Sequence, residues 1–403
     1  MSFLGDSRLA LMMRFRIKQS QDDRSSKLRS RLVYVSYLAF WLVAAIIAFM
    51  LLFPERWAQI RDSATRIRAD SLKQLHNQMA LSRWPLDVYR YHKTIGYELT
   101  PGVSVKLLDA SFTSRVHELG FRIPLAQDQR TVEPGGLLSV GCSFTYGDHV
   151  EAEQAFTFVA GKILGTTSYN YGVSSYSYVG ALLRLEELEQ RGFFDQLQPS
   201  AIVLGAGDWL FGRSTSPFYP TGGLQYGYAY LAEENGNVLI KQPPEQFSLK
   251  HQFELSKRYF PRGRRESEFT PERRALLEEI APTVLKIQSL KREWKSSITR
   301  QKLYDFIAKR MHAVARSRKI PALILWIPSN IENADPPQDL LLAVKRYKNV
   351  HLLEGNRVVS DMNMKQKIRH GHPTKEAHRR YGEQIAGKLQ EMASEGAEVE
   401  VNR

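Results

Sequence analysis

The chain has 403 residues, 43% of them hydrophobic and 11% aromatic, and carries a formal net charge of +14 from 56 Lys and Arg against 42 Asp and Glu. This composition excludes general disorder and supplies material for one large or two modest cores. The positive surplus suits anionic glycans or phospholipid headgroups by long-range attraction, and equally suits a merely solvated surface. No recognition motif accompanies the charge, so nucleic acid is not an expected partner.

Residues 1–31 are basic, with Arg8, Arg14, Arg16, Lys18, Arg24, Lys27, Arg29 and Arg31 against Asp6, Asp22 and Asp23. Leu32 to Phe53 follows without a charge, and these 22 residues are long enough to span a hydrocarbon layer about 30 Å thick. No small-residue cleavage site follows at Phe53-Pro54-Glu55-Arg56-Trp57, so the segment reads as a retained transmembrane helix and not as a signal peptide. The basic run before it predicts a cytoplasmic N-terminus, with residues 54–403 on the far side of a bacterial inner membrane. Residues 54–85 carry Trp57, Ile60, Ala64, Ile67, Leu72, Leu75 and Met79 mostly at helical spacing, which predicts a juxtamembrane stalk ended by Pro85.

Residues 86–393 alternate apolar strands with amphipathic helices, which predicts an α/β domain with a doubly wound parallel sheet. The expected strands are Leu137 to Val140, Ser168 to Tyr171, Ala201 to Leu204, Ala322 to Ile327 and Val350 to Leu353. The expected helices lie near Ala152 to Ile163, Tyr178 to Arg191, Gln301 to Ser317, Gln338 to Tyr347 and Lys375 to Met392. Residues 213–300 break the alternation and read as an insert. It holds a hairpin turned at Glu234-Asn235-Gly236-Asn237, a basic run from Arg258 to Arg265, and a helix near Pro271 to Trp294. Residues 394–403 read as a frayed tail.

The run Gly141-Cys142-Ser143-Phe144-Thr145-Tyr146-Gly147 places a serine in a tight turn just past an expected strand, at the carboxyl edge where α/β sheets bind ligands. Taken alone, such a hydroxyl equally caps a helix. Cys142 is the single cysteine, so no intramolecular disulfide can form, and beside Ser143 it reads as a small buried apolar residue. Two further blocks follow in order: Tyr169-Asn170-Tyr171-Gly172-Val173-Ser174-Ser175-Tyr176-Ser177, and His370-Gly371-His372-Pro373-Thr374 before the last helix.

Together these blocks resemble the SGNH (GDSL-type) hydrolase superfamily, in its membrane-tethered bacterial branch with a Gly-Cys-Ser-Phe-Thr first block. Ile95 to Gly102 and Leu119-Gly120-Phe121-Arg122 look like the lead-in of that branch. The resemblance implies a flavodoxin-like sheet with Ser143 as nucleophile, His372 as general base, and the amides of Ser143 and Gly172 as oxyanion donors. It implies ester chemistry on O-acyl groups, foremost O-acetyl, of cell-surface or exported polysaccharide. Two positions depart from the pattern. Gly205-Ala206-Gly207-Asp208 has Gly207 where the superfamily has an oxyanion Asn, and His370 and Arg369 stand where an acid precedes the histidine.

Possible supports are Asp208, as a loop-shaping acid or a turn residue, His370, and Asp361 as the nearest preceding carboxylate. Arg213 is a candidate contact for a substrate carboxylate or phosphate, or a surface ion pair. His370, His372 and His378 lack a His-Glu-x-x-His motif or carboxylate cluster, so no metal is expected, and without a phosphate or dinucleotide fingerprint no cofactor is expected. The alternative to an enzyme is an inactive domain that binds glycan or organises a membrane export or biosynthesis complex.

Overall fold

The computed structural model describes residues 39–40, 43, 50, 52–53, 55–56, 88–106, 112–218, 228–243, 271, 275, 278–279, 289–290, 293–328, 335–369 and 371–401. The chain divides into two units, Met1–Lys73 and Gln74–Arg403, and every element named below belongs to the second. The basic N-terminus, most of the stalk, most of the 32–53 span, the Arg258 to Arg265 run, most of the 271–294 helix and His370 lie outside the described residues. Among the described residues no helix is long and apolar enough to cross a membrane.

Two antiparallel ladders come first, β1 (Tyr89–His92) with β2 (Gly96–Leu99) and β3 (Ser104–Lys106) with β4 (Thr113–Arg115). The central sheet then begins with β5 (Leu137–Gly141), all five residues of which are buried. After it come α1 (Ser143–Tyr146), α2 (Phe156–Leu164), β6 (Ser168–Gly172), α3 (Tyr178–Gln190), α4 (Phe193–Leu197), β7 (Ala201–Ala206) and α5 (Leu210–Thr215). The hairpin of β8 (Tyr230–Glu234) and β9 (Asn237–Lys241) turns through Asn235 and Gly236, both at positive φ (51° and 78°). That is the two-residue turn an Asn-Gly pair specifies.

The remainder is α6 (Arg300–Arg318), β10 (Ala322–Trp326), α7 (Gln338–Lys345), β11 (Val350–Glu354), α8 (Gly355–Val358), α9 (Met364–Lys367), β12 (Ile368–Arg369), β13 (His372–Pro373) and α10 (Lys375–Val401). The five expected strands are the five strands of the sheet. The last helix runs on through residues 393–401, where fraying was expected, because Ala, Glu and Met around Gly396 are good helix formers.

The sheet is parallel throughout, in the order β11-β10-β7-β5-β6. Numbered by appearance this is 2-1-3-4-5, the flavodoxin-like order. Strands buried on both faces read as continuous apolar runs, and Leu137, Leu138, Val140, Ile202, Val203, Leu204, Leu323, Ile324 and Leu325 are each within 1% of full burial. Right-handed crossovers put α2 on one face and α3, α6 and α7 on the other, since the chain steps one way from β5 to β6 and the opposite way thereafter. Helix α10 covers the first face by packing along α2. The order reverses between β5 and β7, so the crevice for a ligand opens beyond their carboxyl ends.

Candidate active site

Ser143 is the first residue of α1 and stands at that reversal, two residues beyond the end of β5. The turn is tight for a definable reason. A Cβ on Gly141 or on Gly205 would lie 2.1 Å from Thr145 Oγ1, so both glycines leave room for the Thr145 side chain over the ends of β5 and β7. A Cβ on Gly172 would lie 2.3 Å from the Tyr146 nitrogen, so Gly172 lets the backbone of α1 settle on β6. Asn170 completes the joint, its side-chain amide donating to Thr145 O at 2.9 Å and Tyr146 O at 3.3 Å. Ser143 itself is 7% exposed, more enclosed than an open cleft would make it.

The loop after α1 is held from beneath by Arg122, which is fully buried. Its guanidinium donates to Tyr146 O (2.6 Å), Gly147 O (2.8 Å) and Val150 O (2.7 Å), and lies over the Phe112 and Tyr146 rings. A cation at a helix C-terminus is favoured by the carbonyls exposed there. The pinned loop carries Asp148 and His149, the latter at φ +71°, a left-handed conformation that costs about 1–2 kcal/mol for a side-chain-bearing residue.

His372 lies in the two-residue strand β13 and not at the helix start. Gly371 at φ +76° turns the chain back from β12, and Thr374 caps α10 by accepting the Ala377 N–H. The His372 ring is 5.3 Å from Phe144 and 5.0 Å from His149, and its Nε2 faces Asp148 Oδ2 at 3.6 Å. Ser174 donates to the other Asp148 oxygen at 2.7 Å. The structure therefore brings together the Ser143 turn, His372, Asp148, His149 and Ser174. The carboxylate beside His372 is Asp148, five positions after Ser143.

The other expected residues fare differently. Asp361 is not the partner of His372: it is exposed and paired with Arg380, whose hydrogen bond holds its carboxyl below the usual range. The Gly172 N–H, expected to face an oxyanion, donates to Asn170 Oδ1 at 2.9 Å, so this glycine serves the close approach of α1. Asp208 lies just past β7, with Oδ1 buried and without a hydrogen-bond partner among the described residues. Arg213 sits half-buried in α5, near enough for its charge to bear on Cys142 and Tyr97. Cys142 is 1% exposed and burial pushes its thiol up, so it stays protonated and unreactive.

At the Asn position a Cβ on Gly207 would lie 2.2 Å from the Trp209 ring. The indole fills the space of that missing side chain and packs, tilted by 46°, with its centroid 4.3 Å from that of Phe144. Tyr178 clamps Gly207 from both sides, its hydroxyl donating to Gly207 O (2.9 Å) and accepting from Gly207 N–H (3.0 Å). Asp148, His149 and Trp209 were not singled out in the sequence. The available signals were the Gly147-Asp148-His149 run directly after the serine block and a tryptophan two residues past the anomalous glycine.

Behind the site His378 is fully buried and held neutral, its pKa lowered to about 3 by burial and then by the charges of Arg122 and His372. Its Nδ1 accepts the Phe156 N–H at the start of α2. Among the described residues the one group with metal-ligand chemistry is His92, Glu98 and Glu187. Arg90, Arg184 and Arg191 already neutralise its carboxylates, and a cation has nothing there to compensate.

No family model and no curated protein matches the chain. Among solved structures the chain is similar to a protein assigned to the lipolytic G-D-S-L family from Desulfitobacterium hafniense DCB-2. The two are 13% identical, over 62% of this chain and 97% of that one, with a TM-score of 0.27. A likeness that low carries no functional argument, and the reading rests on the site itself.

Proposed function

We propose that the domain is a serine ester hydrolase or acyltransferase of SGNH type, with Ser143 as nucleophile, His372 as base and Asp148 as the supporting carboxylate. The observation that supports it is the Asp148 carboxylate 3.6 Å from His372 Nε2, with the His372 ring 5.3 Å from Phe144, the residue after Ser143, beside the strand-order reversal. In this reading Ser143 Oγ attacks the acyl carbonyl and its proton passes to the imidazole. Asp148 stabilises the imidazolium. Collapse of the tetrahedral intermediate expels the alcohol, which takes that proton, and leaves an acyl-serine. Water or a second hydroxyl then accepts the acyl group.

Ser143 N–H, as the first of the helix, is a donor that no helical turn satisfies, and it is suited to the oxyanion. The lost Asn donor lowers the expected rate, since one oxyanion donor is worth about 2.7–4 kcal/mol. The finer reading is an O-acetyl group on an exported or surface polysaccharide, handled outside the cytoplasm by a protein anchored through residues 32–53. Its support is the uncharged run and the charge asymmetry of the sequence.

A fluorophosphonate probe on the full-length protein tests the chemistry. Labelling that disappears in Ser143→Ala supports the enzyme. Silence in a protein that unfolds cooperatively removes it and leaves the second reading, an inactive glycan-binding domain, which the Trp209 ring in place of an Asn donor favours.

A further inference from the structure

Two unlike kinds of group surround Ser143. One is a chain of aromatic rings in tilted and edge-on contact: Trp209 with Phe144 (4.3 Å, 46° between planes), Phe144 with His372 (5.3 Å, 62°) and His372 with His149 (5.0 Å, 49°). Phe144 is buried, while Trp209, His372 and His149 are partly exposed. The other is polar: Asp148, 3.6 Å from His372 Nε2, with Ser174 bonded to it, both partly exposed. The indole does not sit there loosely. It fills the space a residue-207 side chain would take, and the Tyr178 hydroxyl fixes the Gly207 backbone on both its N–H and its C=O. The ring's position is therefore set by the fold before any ligand arrives.

From this geometry we infer that Trp209 is a specificity-determining residue, the wall on which a pyranose ring of the ester's alcohol part stacks. This rests on the serine ester reading above. A pyranose has an axial C–H face that is apolar and an equatorial edge of hydroxyls. An indole face meets the first by dispersion and by the attraction of polarised C–H groups to its negative face, and carboxylate and hydroxyl groups meet the second. A long acyl chain is apolar all round and would take the Asp148 carboxylate out of water while offering it no donor beyond the Ser174 hydroxyl it already has, at a cost. An aromatic wall facing a polar rim matches the amphipathic ring better than the chain. The exchange of donor for indole then has a meaning: the site gives up an oxyanion contact and gains a surface for the sugar.

The test separates binding from chemistry. In full-length Ser143→Ala protein in detergent, calorimetric binding of O-acetylated xylo- and manno-oligosaccharides should be measurable, about tenfold weaker with Trp209→Ala added, and largely restored by Trp209→Phe. In the active protein, Trp209→Ala should lower kcat/KM for the acetylated oligosaccharide through KM by a similar factor. Turnover of ethyl acetate, which has no ring to stack, should fall by a clearly smaller factor than that of the acetylated oligosaccharide. A tenfold ratio corresponds to about 1.4 kcal/mol, in the range of an aromatic stacking contact. Denaturant unfolding of each variant removes misfolding as a cause. No binding of any oligosaccharide by the parent, equal losses on both esters, or a loss that scales with acyl-chain length overturns the assignment. Absence of fluorophosphonate labelling overturns the esterase reading alone, because the binding arm does not depend on turnover.

Discussion

Two buried polar clusters in this domain are built to opposite specifications. Around Arg184, which is 2% exposed, every charge has a close opposite: Glu98 at 2.6 Å, Glu187 at 2.9 Å, with Arg90 closing on Glu98 and His92 on Glu187 at 2.7 Å. Around Ser143 the fit is loose. Asp148 stands 3.6 Å from His372 Nε2, and Thr145 Oγ1 and Asp208 Oδ1 are buried without hydrogen-bond partners among the described residues. A cluster whose members satisfy one another fastens β2 to α3. A cluster with unmet capacity at the crevice of a parallel sheet has something left to offer a ligand.

The contrast breaks most sharply on substitution at the two clusters. Ser143→Ala should reduce ester turnover by about 10⁶-fold, as loss of a nucleophile does, yet shift urea unfolding by less than about 1 kcal/mol. Residual labelling by the fluorophosphonate would remove Ser143 from the role. Asp148→Asn should cost up to about 10⁴-fold in kcat with the Ser174 hydrogen bond retained, and Asp148→Glu should recover part of it. Equal activity of the Asn variant and the parent would sever Asp148 from catalysis.

At the other cluster the expectation reverses. Arg184→Met removes the buried cation that Glu98 and Glu187 share, leaving them to Arg90 and His92, and should destabilise by up to about 3–5 kcal/mol. Whatever kcat remains in the folded fraction should be near that of the parent. A variant as stable as the parent would mean the network is not holding β2 in place.

The smallest effect is read as a slope. His378 titrates near 3 when folded against 6.5 ordinarily. Between those values the unfolded chain binds a proton that the folded one does not. Stability should therefore fall as pH drops through that window, by roughly 1.4 kcal/mol per pH unit. His378→Gln should flatten this limb in denaturant titrations run from pH 7 to 4. Glu187 acts lower down: burial would raise its pKa, but the His92 hydrogen bond and the Arg184 and His92 charges outweigh burial and hold it at about 2 against 4.5. Its contribution is present above pH 4.5 and is lost toward pH 2, and Glu187→Gln should remove only that lower portion.

The parts of this design that are local in sequence could be read from it. Apolar runs bounded by turn residues gave β5, β7 and β10, because strands covered on both faces have no polar alternation to hide them, while β6 (Ser-Tyr-Asn-Tyr-Gly) and the edge strand β11 (Val-His-Leu-Leu-Glu) were placed by their positions between helices. Ser143 and His372 could be singled out as candidates from their own neighbours. Asp148 was not, because a carboxylate in a loop acquires its meaning only when Arg122 holds that loop against β13. Gly207 could be seen as an absence, but the ring that fills the space belongs to a residue two positions on, and only the path of the backbone brings it back. The short ladders β1–β2 and β3–β4 were missed because three or four residues carry too little periodicity to declare a strand.

The three bonds from Arg122 to the carbonyls of Tyr146, Gly147 and Val150 bear on where this domain begins. A fragment cut to start at Leu137 would keep all five strands of the central sheet and their helices, and would pass as intact by its circular dichroism. It would lack the guanidinium that binds three carbonyls of the segment bearing Asp148 and His149. The smallest piece of this protein worth assaying therefore starts upstream of residue 88, some fifty residues before its first parallel strand.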